Sequence, residues 1–338
     1  MKAAVLPDYQ QPLEFRDLPM PSIGSQDVLV RVHACGVCGS DVHLVDGEFQ
    51  AISQVPVIPG HEVAGVIEQV GEQVNYLKPG DRVGIPWVQG TCGHCRYCVS
   101  GETVLCPEQQ ATGISLNGGY AEYVKAPARD VAVIPDAISF EEAAPLFCAG
   151  ITVFTPFNYV NFKSGKTVAV MGVGGLGHLA LQFAHALGAN TVAVSRGEDK
   201  LQMAKEKLGA DEAIDSSSDQ WVQKLQQMGG ADVLFATANS AKLMGQAISA
   251  LAPEGTLVLL AVDNNPLVLP PPIELIITRK RVMGSVTGSI KDMREMLEVA
   301  AAHNVRPMIE THPLDDAQLA LDRVREGKPR FRAVLTMT

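Results

Sequence analysis

Residues 167–177 read TVAVMGVGGLG, and the fold follows from how that stretch is used. An apolar, β-prone run enters Gly172, Gly174 and Gly177 at the G-x-G-x-x-G spacing, and a helix-like segment, HLALQFAHALG, follows directly. Strand, glycine turn and helix in that order open a dinucleotide-binding unit: the glycines let backbone N–H groups approach a pyrophosphate, whose charge is favoured at a helix N-terminus. Taken alone, the spacing also describes an ordinary tight turn. The stretches downstream decide, because TVAVSR, EAID, ADVLFATA and GTLVLLAV alternate with helical segments. Such alternation implies βαβ crossovers and a doubly wound parallel sheet. The expected cofactor domain covers residues 150–286, with Gly172, Gly174, Gly175, Leu176 and Gly177 at the phosphates.

Upstream the pattern changes. Residues 1 to about 135 are short β-like runs punctuated by Gly and Pro, the YAEYVKA stretch from Tyr120 among them. Ser139 and Glu142 are spaced as a capping box, which predicts a helix joining the two domains. Beyond Gly288, KDMREMLEVAAAHN and DDAQLALDRVREGK read as helices and FRAVLTMT as a last strand. These return to the first domain, giving a β-rich unit of residues 1–149 and 287–338 in an α/β protein.

The whole chain bounds the function. Its 338 residues exceed what one core organises, and 46% apolar content supports two large cores. A net charge of −10 with no basic stripe argues against nucleic acid as a partner. No apolar run approaches the ~18 residues needed to cross a bilayer, and the N-terminus lacks a signal-peptide core, so no membrane role and a cytoplasmic location are expected. In such a reducing compartment the seven cysteines read as metal ligands rather than disulfides.

Four of them, Cys92, Cys95, Cys98 and Cys106, form C-x2-C-x2-C-x7-C in a lobe over residues 88–107. Four thiolates can close a tetrahedral zinc shell with no open position, a structural site. An iron–sulfur cluster is the competing occupant of that spacing. Three cysteines remain, and Cys38, His61 and Cys148 can supply the three protein ligands that a catalytic zinc needs beside an open place for substrate. Taken singly, Cys148 also fits a small core residue, and His33, His43 and His61 fit ordinary core or surface histidines. Where NAD-preferring proteins usually carry a carboxylate after the second strand, this chain has Ser195, followed by Arg196 and, one helical turn on, Lys200. No acid repels a 2′-phosphate there and two cations can hold one, so NADP(H) is the expected cofactor and NAD(H) the alternative.

Taken together, GVCGSDVH, PGHEVAGVIEQVG, CGHCRYC, LFCAGITVF and VMGVGGLGHLA resemble the zinc-containing medium-chain alcohol dehydrogenases, the bacterial and cinnamyl-alcohol members in particular, in order and along the whole chain. The resemblance implies a GroES-like catalytic domain, a Rossmann domain and two zinc ions per chain. It implies Cys38, His61 and Cys148 as catalytic ligands, Glu62 as an acid able to approach the metal, and Asp41 as the carboxylate that orients His61. Ser40 and His43 resemble the proton relay, passing the alcohol's proton by way of the cofactor ribose to solvent. Thr152 resembles a residue at the nicotinamide and ribose, Arg332 one that reaches the pyrophosphate, and Trp87 a wall of the substrate pocket or a core residue. Cys35 has no counterpart and reads as a buried free thiol. Gly39 stands where many simple alcohol dehydrogenases carry Arg or His, and CGSDVH is closer to the polyol and threonine branch. The implied reaction is reversible oxidation of an alcohol or reduction of an aldehyde. Polyol or amino-alcohol oxidation is the second reading, and a non-enzymatic cofactor-binding protein the third. A homodimer or homotetramer is implied too, with TLVLLAVDNN and RKRVMGSVTG as edge strands of a joint sheet.

Overall fold

The computed structural model describes residues 1–160 and 162–337. The chain divides into two compact units, residues 1–151 with 287–302 and 306–338, and residues 152–286 with 303–305.

The second unit is a six-stranded parallel sheet. Its strands run in the order Glu212–Asp215, Asn190–Ser195, Thr167–Met171, Ala231–Ala236, Leu251–Leu259 and Arg281–Gly284. By sequence that order is 3-2-1-4-5-6, so direction reverses beside the first strand, at the place where open α/β sheets bind ligands. The strands are near-continuous apolar runs because helices cover them; Val168, Ala169, Val170, Val192, Val194, Leu234 and Phe235 are all buried. Trp221 and Leu225 of the helix Gln220–Gln227 pack into the same core.

The first unit is built on a seven-stranded, largely antiparallel sheet. Its centre is the strand Asp27–Val37, whose burial pattern makes its last residues core on both faces. This strand pairs with Glu62–Val70 on one side and with Arg332–Thr336 on the other, both antiparallel. The register sets Gly36 opposite Glu62 and Val37 opposite Ala333. The end of one strand therefore meets the starts of two others, and the residues that follow or precede those ends are forced together.

Three expectations change. The helix predicted to join the domains is broken into short turns, Phe140–Ala143, Ala144–Phe147, Ala149–Phe154 and Thr155–Asn158. The Ser139–Glu142 capping box does form. Pro145 and Pro156 lack the N–H a helix needs, and Cys148 leaves helical geometry at φ −130 and ψ −69. The strand expected from Tyr120 is confined to Tyr123–Pro127, leaving Tyr120 in an irregular segment before it with its ring fully buried. Finally, Leu251–Leu259 is not an edge: it lies between Ala231–Ala236 and Arg281–Gly284, so of the two stretches only the latter is an edge strand.

Candidate metal centres and cofactor loop

Cys38 follows directly on the strand Asp27–Val37 and caps the short helix Gly39–Val45. His61 stands just before the strand Glu62–Val70. Cys148 is brought to them by Phe147, which is wholly buried on the strand Arg82–Ile85 where Gly84 leaves the space; a Cβ on Gly84 would collide with the ring. One ligand atom each from Cys38, His61, Glu62 and Cys148 thus lies within 4.8 Å of the other three. The two sulfurs are 4.0 Å apart.

The electrostatics fit a cation in that space. The Cys148 contact first, and the His61 imidazole after it, hold the Cys38 thiol well below its usual range against the opposing effect of burial. The same contact pushes Cys148 well up, so the pair releases one proton readily and resists losing the second. Burial alone would lower the His61 imidazole, but Asp41 and Cys38 outweigh it and raise it well above its usual value. His61 Nε2 is buried with no hydrogen-bond partner, a ring nitrogen whose lone pair a metal or a proton can take.

Glu62 is different in kind. Arg332 Nη2 donates to its Oε1 in a buried pair and also approaches the Val37 carbonyl at 3.4 Å. Glu62 Oε2 is buried without a partner, in room that exists because Gly36 carries no Cβ. Burial pushes this carboxyl up to about 7, with Arg332 opposing. The shell therefore offers two sulfurs and a nitrogen, with an acid in reserve that is already neutralised by a cation; three such ligands and an open place are what catalytic zinc takes. Arg332, expected to reach a pyrophosphate, is held by Nη2 in this pair while its Nε has no partner among the described residues.

Asp41, fully buried, faces His61 Nδ1 from 3.3 Å, off the axis of a straight hydrogen bond. Its other oxygen accepts from the Cys38 N–H at 2.8 Å. Ser40 Oγ lies 3.8 Å from Cys38 Sγ. His43 is partly exposed, with Nδ1 3.0 Å from Glu48 Oε2. Trp87 packs edge-on against the His61 ring, centroids 4.8 Å apart, and Phe49 meets Trp87 at 6.1 Å. Phe49 and Tyr120 had no motif to mark them in the sequence. Cys35, as expected, is a buried free thiol.

The four sulfurs of Cys92, Cys95, Cys98 and Cys106 also lie within 4.8 Å of one another. Backbone N–H groups are aimed at three of them: Cys92 to Cys106 at 3.4 Å, Cys95 to Cys92 at 3.3 Å, and Cys98 to Cys95 at 3.5 Å. Such donors favour thiolate; the N–H of Cys92 leads in bringing Cys106 down to about 7, and His94 and Cys95 lower Cys92. The shell closes with sulfur alone. His94 is exposed and turns its Nδ1 to the Cys92 carbonyl, outside the four.

In the other unit, Leu176 caps the helix Gly177–Ala186. Gly177 packs so tightly on Gly172 that a Cβ would strike its carbonyl, while the space a Cβ would fill at Gly174 is open for an approaching phosphate. Ser195 is buried at the end of its strand and its Oγ accepts from the Val173 N–H at 3.4 Å, tying that strand end to the glycine loop. Arg196 is exposed beyond it and Lys200 half-buried in the helix Glu198–Lys207. Thr152 is buried.

Comparison with known proteins agrees with this construction. Residues 24–136 match the alcohol dehydrogenase GroES-like domain and residues 175–302 the zinc-binding dehydrogenase domain. An alcohol dehydrogenase of Geobacillus stearothermophilus is 43% identical over 339 residues, covering 99% of each chain. Among solved structures, an NAD-dependent alcohol dehydrogenase superposes with a TM-score of 0.93 at 29% identity, covering 100% of both chains. A cinnamyl alcohol dehydrogenase from Helicobacter pylori complexed with NADP(H) superposes with a TM-score of 0.87 at 27% identity, covering 99% of this chain and 97% of that one.

The buried pair generates a stability prediction. Arg332→Met removes the cation that opposes burial at Glu62, so the carboxyl takes up a proton and loses its buried partner, which should destabilise the protein by about 1–3 kcal/mol in urea unfolding at neutral pH. Adding Glu62→Gln should restore more than half of that loss. A single variant as stable as the parent would show that Arg332 does not neutralise Glu62.

Proposed function

This chain belongs to the family of zinc-binding alcohol dehydrogenases with a GroES-like domain and is an oxidoreductase that acts on alcohols, and from that premise we propose that it holds two zinc ions and interconverts apolar alcohols and aldehydes with NADP(H). The convergence of Cys38, His61, Glu62 and Cys148 ligand atoms within 4.8 Å, beside Ser40, carries the catalytic reading. Bound zinc supplies the Lewis acidity that makes an alcohol hydroxyl acidic near neutral pH, and a bound nicotinamide supplies the hydride acceptor.

The chain's own residues do the rest. Cys38, His61 and Cys148 hold the metal, and Asp41 keeps the His61 ring oriented. Ser40, beside Cys38, takes the hydroxyl proton as it gives up its own, and partly exposed His43 passes a proton on to water. Trp87 and Phe49 set an aromatic face against His61, which favours apolar substrates over polyols and amino alcohols. Cys92, Cys95, Cys98 and Cys106 hold the second zinc and fix their lobe. Thr152 serves the nicotinamide end of the cofactor, and Gly172, Gly174, Gly175, Leu176 and Gly177 its phosphates.

The choice of NADP(H) follows from the second strand. Ser195 puts a hydroxyl, already engaged by Val173, where a carboxylate would repel a 2′-phosphate, and exposed Arg196 stands next to it. A panel of monoalcohols, aldehydes, sorbitol and threonine, run with NADPH and NADH, should give the highest kcat/KM for apolar substrates with NADPH. Arg196→Ala should lower NADPH efficiency about tenfold and leave NADH nearly unchanged, the loss of one charge-assisted contact. Equal turnover with both cofactors removes the NADP(H) assignment.

Metal analysis separates the two centres. The parent should contain two zinc ions per chain and Cys98→Ser one, with lowered thermal stability. Retention of two by that variant would place the second ion elsewhere.

A second copy of this chain is proposed as partner, in a homodimer or homotetramer. The edge strand Arg281–Gly284 leaves one side without a neighbour, and Val262, Val268, Ile276, Ile277 and Val286 are exposed in the same unit. Light scattering should find a dimer or larger particle, and Val282→Lys should shift it toward monomer; a monomeric parent overturns this reading.

A further inference from the structure

Tyr120 has no place in the chemistry derived so far, yet it sits one carboxylate away from His61, a proposed ligand of the catalytic metal. Its ring is wholly buried and its Oη donates to Asp41 Oδ2 at 3.1 Å. The placement is built in detail. The N–H groups of Gly118, Gly119 and Tyr120 bond the carbonyls of Ile58, Gly60 and Pro59 at 2.7, 2.9 and 3.0 Å, clamping the tyrosine's segment to the one that carries His61. Gly60, at φ +95, lies under the ring, and a Cβ there would strike both the ring and Cys35 Sγ.

The hydroxyl needs a reason beyond filling space, because phenylalanine would fill it equally. Asp41 is already oriented without Tyr120: Oδ2 accepts from the Cys38 N–H at 2.8 Å, and Oδ1 accepts from the Gly60 N–H at 3.3 Å while facing His61 Nδ1. What the phenol adds is a third donor to a fully buried carboxylate. Donors that share an anion's charge leave less of it for each neighbour, and in a low-dielectric site that redistribution is strong. Burial, with Asp41 beside it, keeps the phenol protonated and so a donor throughout the working pH range.

We infer that Tyr120 is a positioning residue of the reaction: by sharing the charge of Asp41 it limits how strongly that carboxylate acts on His61, and so sets how strongly His61 donates to the metal. The inference rests on the assignment of Cys38, His61 and Cys148 as a zinc site. It makes a chain of two steps from phenol to ligand, and groups behind a metal ligand commonly change affinity or activity by about 10–100-fold, so a residue one step further out should act by about threefold.

The test uses the full-length, zinc-loaded protein with Tyr120→Phe. Two quantities are read: the rate at which a chelator strips zinc from the Cys38, His61 and Cys148 site, and the energy of the thiolate-to-cobalt charge-transfer band after cobalt exchange at that site. Without the phenol, Asp41 presents more charge to His61 and the ligand donates more strongly. Stripping should slow about threefold and the band should move to higher energy, with zinc at the four-cysteine site unaffected. Placing 3-fluorotyrosine at position 120 makes the phenol a stronger donor without removing it and should move both readings the opposite way; this arm decides if the phenylalanine variant does not fold. Unchanged readings, or both variants moving in the same direction, would show that Tyr120 only fills space. A parent chain that binds no zinc at Cys38, His61 and Cys148 overturns the catalytic-site assignment and this inference together, whereas a loaded parent with indifferent variants overturns this inference alone.

Discussion

Asp41, His61, Glu62 and Arg332 are ionisable groups inside the protein, and each has its charge met by a buried partner. Three are fully buried and Arg332 is 7% exposed, so each charge must be met at contact distance. Arg332 meets Glu62, and Asp41 meets His61, two backbone N–H groups and the Tyr120 phenol. The arrangement is held by the sheet: the strand ending at Val37 delivers Cys38, the strand starting at Glu62 delivers His61, and the strand starting at Arg332 delivers the cation. A shift of register by one residue would turn these side chains to the other face and leave buried charges unpaired.

Within this polar cluster the proposed metal ligands are the groups left with spare capacity. The two sulfurs and His61 Nε2 have no acceptor or donor that fully satisfies them; Cys38 is already held toward thiolate, whereas Cys148 is held as a thiol and His61 protonated, so a metal ion displaces a proton from each of those two. The four-cysteine lobe reaches the same end by a different route, with backbone N–H groups aimed at sulfurs near the surface. One centre is prepared by buried charge and stays open; the other is prepared by amide dipoles and is closed. That difference matches a division between chemistry and anchorage.

Much of this was legible in the chain itself. The glycine turn and the alternating strands specified a doubly wound sheet, because apolar runs of strand length bounded by helices have few other ways to be buried. The spacing of Cys92, Cys95, Cys98 and Cys106 announced a metal shell, since local spacing alone brings those sulfurs together. The joining segment departs from a continuous helix where Pro145 and Pro156 interrupt it, and both prolines are visible in the sequence. Tyr120 was read as an ordinary strand residue; its partner Asp41 is 79 positions away, and no local pattern links the two.

By itself the sequence determined what can be encoded at short range: the phosphate turn, the four-cysteine lobe, the capping box at Ser139, and the absence of a carboxylate at Ser195. Only the tertiary structure decided which partner each buried charge takes. Arg332 pairs with Glu62 across 270 positions, Tyr120 donates to Asp41, and Leu251–Leu259 is an inner strand. The physical reason is that a short motif carries its own contacts within a few residues, whereas the neutralisation of a buried charge depends on strand order and register, which are set by how the whole apolar pattern packs.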